Sequence, residues 1–182
     1  MNHIDSIVRE VVMSKFHELS QIYSQSRKRF FDYQSDVHLF ADKLTRGLVD
    51  YFSIPAQHLK IFPVSGEIKP DTKYSIKEAV LLGDDNFWHL GIQIDLICNE
   101  CDTVPAQPIL INVGLKQEDG RFIVKISQKE NGHKIRPDKE GDFHEFYEYI
   151  FQSIKKSMES HLLKFLEKEP TPCRMGFLSD CP

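Results

Sequence analysis

Hydrophobic positions change period twice along the chain. From about Ile4 to Phe30, residues Ile4, Ile7, Val8, Val11, Val12, Leu19 and Ile22 recur at three- and four-residue intervals, opposite Arg9, Glu10, Lys15, Glu18 and Gln21. That spacing predicts an amphipathic helix with a broad apolar stripe. A second helix is predicted from about Ser35 to Phe52, with Ser35 or Asp36 as its cap and Val37, Phe40, Leu44, Leu48 and Tyr51 as its stripe. Pro55 stops it, because the residue before a proline is pushed out of the helical region. Residues 1–53 therefore read as a helical hairpin, two antiparallel helices joined by a short link.

The period then falls to two. Leu90, Ile92, Ile94 and Leu96 alternate with His89, Gly91, Gln93 and Asp95, which places the two sets on opposite faces of a strand. Glu118-Asp119-Gly120 lies between two apolar runs, the local signature of a tight hairpin. Strands are expected at about 87–97, 108–116 and 121–128, with shorter candidates from His58 to Val64 and from Lys73 to Leu82. Pro63 marks the first of these as an edge strand, since proline donates nothing to the ladder. Residues 58–128 form the sheet. The polar segment 131–142 reads as an exposed loop.

Helical spacing returns from about Phe143 to Lys168, where Phe143, Phe146, Ile150, Ile154, Met158, Leu162 and Phe165 make one stripe that Pro170 and Pro172 end. Residues 169–182 form an irregular tail. The fold class expected is α+β: a mainly antiparallel sheet of about five strands, packed by two N-terminal helices and one long C-terminal helix, in a single domain over 1–182.

Composition adds limits. With 41% hydrophobic and 27% charged residues, the chain can build an ordinary core. Its net charge of −4 argues against a general nucleic-acid coat protein. No apolar run reaches the ~18 residues of a membrane span, and the first turns carry charges where a secretory signal would be apolar. A cytoplasmic location is expected.

Three sets of residues carry candidate chemistry. Cys98 and Cys101 form a C-x-x-C just past the central strand, a spacing that lets two thiolates face one ion, and Cys173 and Cys181 would complete a zinc site. Glu100 and Asp102 beside them disfavour a redox role, and four ordinary reduced thiols are the expected state, with zinc as the alternative. The second set is His89, Gln93 and Asp95 on the polar face of the central strand, with Asp84 and Asp85 at its entrance. The pair GIQIDLI and ILINVGLK resembles the restriction-endonuclease-like nuclease core, in which an aspartate on one strand and a Glu-x-Lys on the next hold a divalent metal. Asp95 stands at the first carboxylate; Asn112 and Gly114 stand where the Glu and Lys would be, and a hairpin follows where that fold places a helix. The metal and the activated water therefore lack their ligands. The third set is Arg27-Lys28-Arg29 beside Phe30, Phe31 and Tyr33; a helix terminus whose aromatics enter the core is the expected reading, and a nucleic-acid contact the minor alternative.

No phosphate-binding glycine loop, nucleophile elbow or paired-histidine motif occurs. The apolar surface of the helices exceeds what one small sheet need cover, and such a surplus marks an interface. The expected function is that of a non-enzymatic binding or accessory protein, acting through protein–protein contacts of its helical faces with a partner or a second copy. The alternatives are a small metal-dependent hydrolase or degenerate nuclease-like domain with its site near Asp95, and a zinc-stabilised module.

Overall fold

The computed structural model describes residues 14–65, 72–97, 106–126 and 131–166. The chain divides into two compact units, Met1–Asp36 and Val37–Pro182, and each is treated by itself below. The architecture is α+β: one long helix, an antiparallel sheet and a long C-terminal helix.

Helix α1 spans Lys15–Phe52. The Ser14 hydroxyl accepts a hydrogen bond from the His17 backbone N–H (3.2 Å), satisfying one orphan donor of the first turn. At the other end Ser53 turns left-handed (φ 54°), Ile54 N–H bonds the Val49 carbonyl (3.0 Å) and Ser53 N–H that of Asp50 (3.2 Å), which is the Schellman closure. The link expected between Phe30 and Ser35 is itself helical. Neither glycine nor proline occurs from Ser14 to Arg46 to break the backbone ladder, and Ser35 and Asp36 sit inside the helix instead of capping one.

In the second unit, β1 is Leu59–Phe62, α2 Ile76–Ala79, β2 Leu81–Leu82, β3 Trp88–Leu96, β4 Gln107–Glu118, β5 Arg121–Lys125, β6 His133–Ile135 and α3 Glu140–Leu166. The sheet runs β1-β3-β4-β5-β6, with β2 sharing the β3 edge that β1 occupies. Every pairing is antiparallel. The β4–β5 hairpin turns on Asp119 and Gly120, both at positive φ (51° and 72°), as a two-residue turn between right-twisted strands requires.

Two segments differ from expectation. Residues 73–82 are not a strand: Ser75 and Glu78 close a capping box, with the Glu78 carboxylate accepting from Ser75 N–H (2.8 Å) and Oγ (2.7 Å), and a single helical turn precedes the two-residue β2. The loop 131–142 contains β6, whose Ile135 is buried opposite Phe122.

One face of the sheet carries Trp88, Leu90, Ile92 and Ile94, paired across to Leu115, Val113, Ile111 and Ile109, and continues through Phe122, Val124 and Ile135. All are buried, together with Val37, Phe40, Ala41, Leu44 and Leu48 of α1 and Phe143, Phe146, Tyr147, Ile150 and Ile154 of α3. Phe40 stacks on Phe122 with ring centroids 3.9 Å apart, and Phe143 lies 5.5 Å from Phe40. Gly47 admits the Tyr147 hydroxyl, which donates to the Leu44 carbonyl (3.1 Å) and joins α1 to α3. Lys43 adds a second link by donating to the Pro137 carbonyl (2.8 Å) and to Glu140 (2.6 Å). Among the described residues no helix is long and apolar enough to cross a membrane.

Candidate functional site

The opposite face of the sheet carries His89, Gln93 and Asp95, all half-buried. They do not converge. At ~3.3 Å per residue, His89 and Asp95 stand about 20 Å apart along β3, and each has its own company. Asp95 accepts from the Gln93 amide (2.7 Å) and faces the Lys60 ammonium of β1 (3.7 Å), so both its oxygens are engaged. Lys60 reaches it because β1 pairs with β3 in the register Lys60↔Gln93. Gly91, between the two sites, lies under the Phe62 ring; a Cβ there would come within 2.4 Å of that ring.

His89 belongs to a cleft of about 370 Å³ lined by Asp85, Phe87, His89, Asn112, Gly114, Lys125 and Ile126. The turn before β3 builds its rim. Gly83 N–H bonds the Phe87 carbonyl (2.8 Å) and Asn86 takes φ 62°, which brings Asp85 back over the strand. Asp85 then accepts from Phe87 N–H (3.1 Å) and meets His89 Nε2 at 2.9 Å. Partial burial pushes the Asp85 carboxyl up, but the hydrogen bonds from His89 and Phe87 and the imidazole charge outweigh it and hold it below the ordinary carboxylate value. An ionised Asp85 only accepts, so the proton between them sits on Nε2, and in the neutral ring Nδ1 is left as an acceptor. That Nδ1 and Asn112 Oδ1 are shut off from solvent and have no hydrogen-bond partner among the described residues. Lys125 extends its ammonium over the Phe87 ring (4.6 Å to the centroid). A volume of this size lies in the range of small-molecule sites. The lining supplies a carboxylate–imidazole pair, an ammonium and an aromatic face, without a hydroxyl or thiol nucleophile.

A smaller cleft of about 220 Å³ opens beside β6 and α3. Its Arg136 is committed to Asp142 through a two-pronged pair (2.8 and 2.9 Å), and that guanidinium, with the Arg136 N–H and Lys139, holds the Asp142 carboxyl far below its usual range.

The third set of residues lies in the first unit. From Phe16 to Phe31 α1 exposes Phe16 (80%), Leu19 (66%), Ile22 (57%), Tyr23 (66%), Phe30 and Phe31. Arg27 lies over the rings of Phe31 (4.6 Å) and Phe30 (5.9 Å). These aromatics do not enter the core, and Arg27-Lys28-Arg29 does not end a helix; α1 continues for six turns beyond it. Cys98, Cys101, Cys173 and Cys181 all lie outside the described residues. Among the described residues no three His, Cys, Asp or Glu side chains gather closely enough to hold a metal ion.

Compared with protein-family models, characterised proteins and solved structures, the chain matches none.

Proposed function

We propose that the protein is a binding or accessory protein that works through protein–protein contacts of its helical faces, in a cytoplasmic setting. The observation that supports this is the run of large apolar side chains exposed on α1 between Phe16 and Phe31. Single exposed apolar residues are ordinary on a protein surface, but six within sixteen positions of one helix are an interface composition. A photo-crosslinking residue at Leu19 tests it in cells. Position 19 is expected to give a discrete adduct, and position Gln21, exposed about 160° away around the helix, none. Equal labelling at both positions, or none at either, would overturn the reading. The adduct mass separates a second 21.2 kDa copy from another protein.

A second reading is a small hydrolase or ligand-binding site, favoured by one observation: His89 Nδ1 and Asn112 Oδ1, both without partners among the described residues, belong to side chains that line the same cleft. In this reading His89, oriented by Asp85, is the acid–base group, and Asp95 serves the sheet through Lys60. A Cβ at Gly114 would lie 3.5 Å from Phe87 and 3.7 Å from His89, so Gly114→Val fills the cleft. Small molecules that raise the melting temperature of the natural chain but not of Gly114→Val would support this reading; identical responses would remove it. Metal analysis of chelator-free protein tests the remaining alternative, since one zinc per chain would establish the zinc-stabilised module.

A further inference from the structure

The charges that border the α1 stripe identify what would cover it. This inference rests on the helical-face reading above. At 100° per residue, Phe16, Leu19, Ile22, Tyr23 and Phe30 fall within an arc of about 120°. Arg27 and Arg29 fall about 20° outside its two borders, one on each side, while Asp32 lies on the far side of the helix. No ion pair joins Arg27, Lys28 or Arg29 to a carboxylate among the described residues, whereas the acidic residue at the start of the stripe, Glu18, is held by Lys15 (3.2 Å). An apolar ridge about four turns long is thus flanked at one end by two cations, Arg27 and Arg29, with Lys28 on the far side of the helix, in a chain whose net charge is −4.

We propose that this surface docks an amphipathic helix of another protein, one whose apolar ridge is bordered by Asp and Glu where it meets Arg27 and Arg29. Its anionic borders neutralise two arginines that no carboxylate pairs with among the described residues, and its apolar ridge covers the stripe. A second copy fits less well. Laid parallel and in register, it sets Arg27 and Arg29 against themselves. Laid antiparallel about Tyr23, it offers the two arginines one carboxylate, the already paired Glu18. Nucleic acid would use the cations and leave Phe16, Leu19 and Ile22 uncovered, since phosphate contacts need charge and not aliphatic surface.

The test is a displayed library of helical peptides with Leu or Ile fixed at the ridge positions and Glu, Gln or Lys allowed at the flanks, selected on the full 182-residue chain. Glu is expected to be enriched at the flanks. The best synthetic peptide should bind R27E/R29E about 10-fold more weakly, and added salt should weaken the natural pairing. The charge-reversed variant should instead select Lys-flanked peptides. Circular dichroism and thermal unfolding establish that each variant remains folded. Gln- or Lys-flanked winners on the natural chain would overturn the acidic partner and leave the helical-face reading standing. No enrichment over F16D/L19D/Y23D would overturn both. A two-chain mass in light scattering that F16D/L19D/Y23D returns to 21.2 kDa would make the occupant a second copy. Binding of a fluorescent single-stranded RNA that R27E/R29E abolishes, with no peptide selected, would replace the partner with nucleic acid.

Discussion

Two stretches of α1 carry the same kind of apolar spacing and meet opposite fates. Val37, Phe40, Ala41, Leu44 and Leu48 are at most 3% exposed, closed against the sheet and α3. Phe16, Leu19, Ile22 and Tyr23 are more than half exposed. Spacing determines which residues share a face of a helix; it does not determine whether anything covers that face. In the covered stretch the partners are visible: Phe40 lies flat on Phe122, and Tyr147 reaches over Gly47 to the Leu44 carbonyl. Just beyond the uncovered stretch, the rings of Phe30 and Phe31 meet a cation, Arg27, and each other.

The sharpest way to break this comparison is a matched pair of truncations. Phe40→Ala removes a ring stacked at 3.9 Å in a closed core and should cost about 3–5 kcal/mol of folding stability. Phe16→Ala removes a ring already in water and should change stability by no more than about 0.5 kcal/mol. Chemical denaturation of the two variants measures both. A cost above about 1 kcal/mol for Phe16→Ala would mean that its stripe is covered within the chain, and the interface reading would lose its main support.

Gly47→Ala comes next in size. A Cβ at that position would stand 2.2 Å from the Tyr147 hydroxyl oxygen, far inside contact distance, so α1 and α3 must part locally. Overpacking of this kind typically costs about 1–3 kcal/mol. Tyr147→Phe alone forfeits a buried hydrogen bond worth about 1 kcal/mol. Combined with Gly47→Ala it also removes the atom in conflict, so the double variant should be more stable than the sum of the single effects predicts. Additive costs would show that α1 and α3 are not locked through Gly47.

Against the sequence, the strands with long, regular alternation were readable and the short elements were not. In β3, Leu90, Ile92 and Ile94 of the expected apolar face are buried while Leu96 at the strand's end is exposed, and Asp119-Gly120 makes the turn its chemistry demands. Residues 73–82 depart from the expected strand because Ser75 and Glu78 form a capping pattern, which marks a helix start. Strand β6 failed because three residues are too few to show a period. The break before Ser35 failed because a serine and an aspartate are tolerated inside a helix as well as at its cap. The site was less legible still. That Asp95 is tied to Lys60 depends on the β1–β3 register, and the His89 cleft gathers side chains from β3, β4, β5 and two turns. Neither arrangement is local in sequence, so no spacing rule announces it.

The smallest effect, and the one that reports the covered stretch without altering its packing, is the titration of His38. This imidazole lies 6.0 Å from the Trp88 ring, edge to face, and its Nε2 has no hydrogen-bond partner among the described residues. Burial lowers its pKa, the Lys77 ammonium lowers it further, and a hydrogen bond with the Val80 backbone only partly opposes them. A folded-state pKa below the unfolded value means that between the two the unfolded chain binds more protons, so stability rises with pH there. The contribution is complete above about pH 6.5, the ordinary histidine value, and is lost as pH falls from there through the folded pKa. NMR titration should place His38 below that ordinary value, and Lys77→Gln should raise it part of the way back. In His38→Gln the loss of stability just below pH 6.5 should shrink by the same linkage. A His38 that titrates at or above the ordinary value would show that the stretch beginning at Val37 is as open to water as Phe16–Tyr23, and the contrast between the two halves of α1 would disappear.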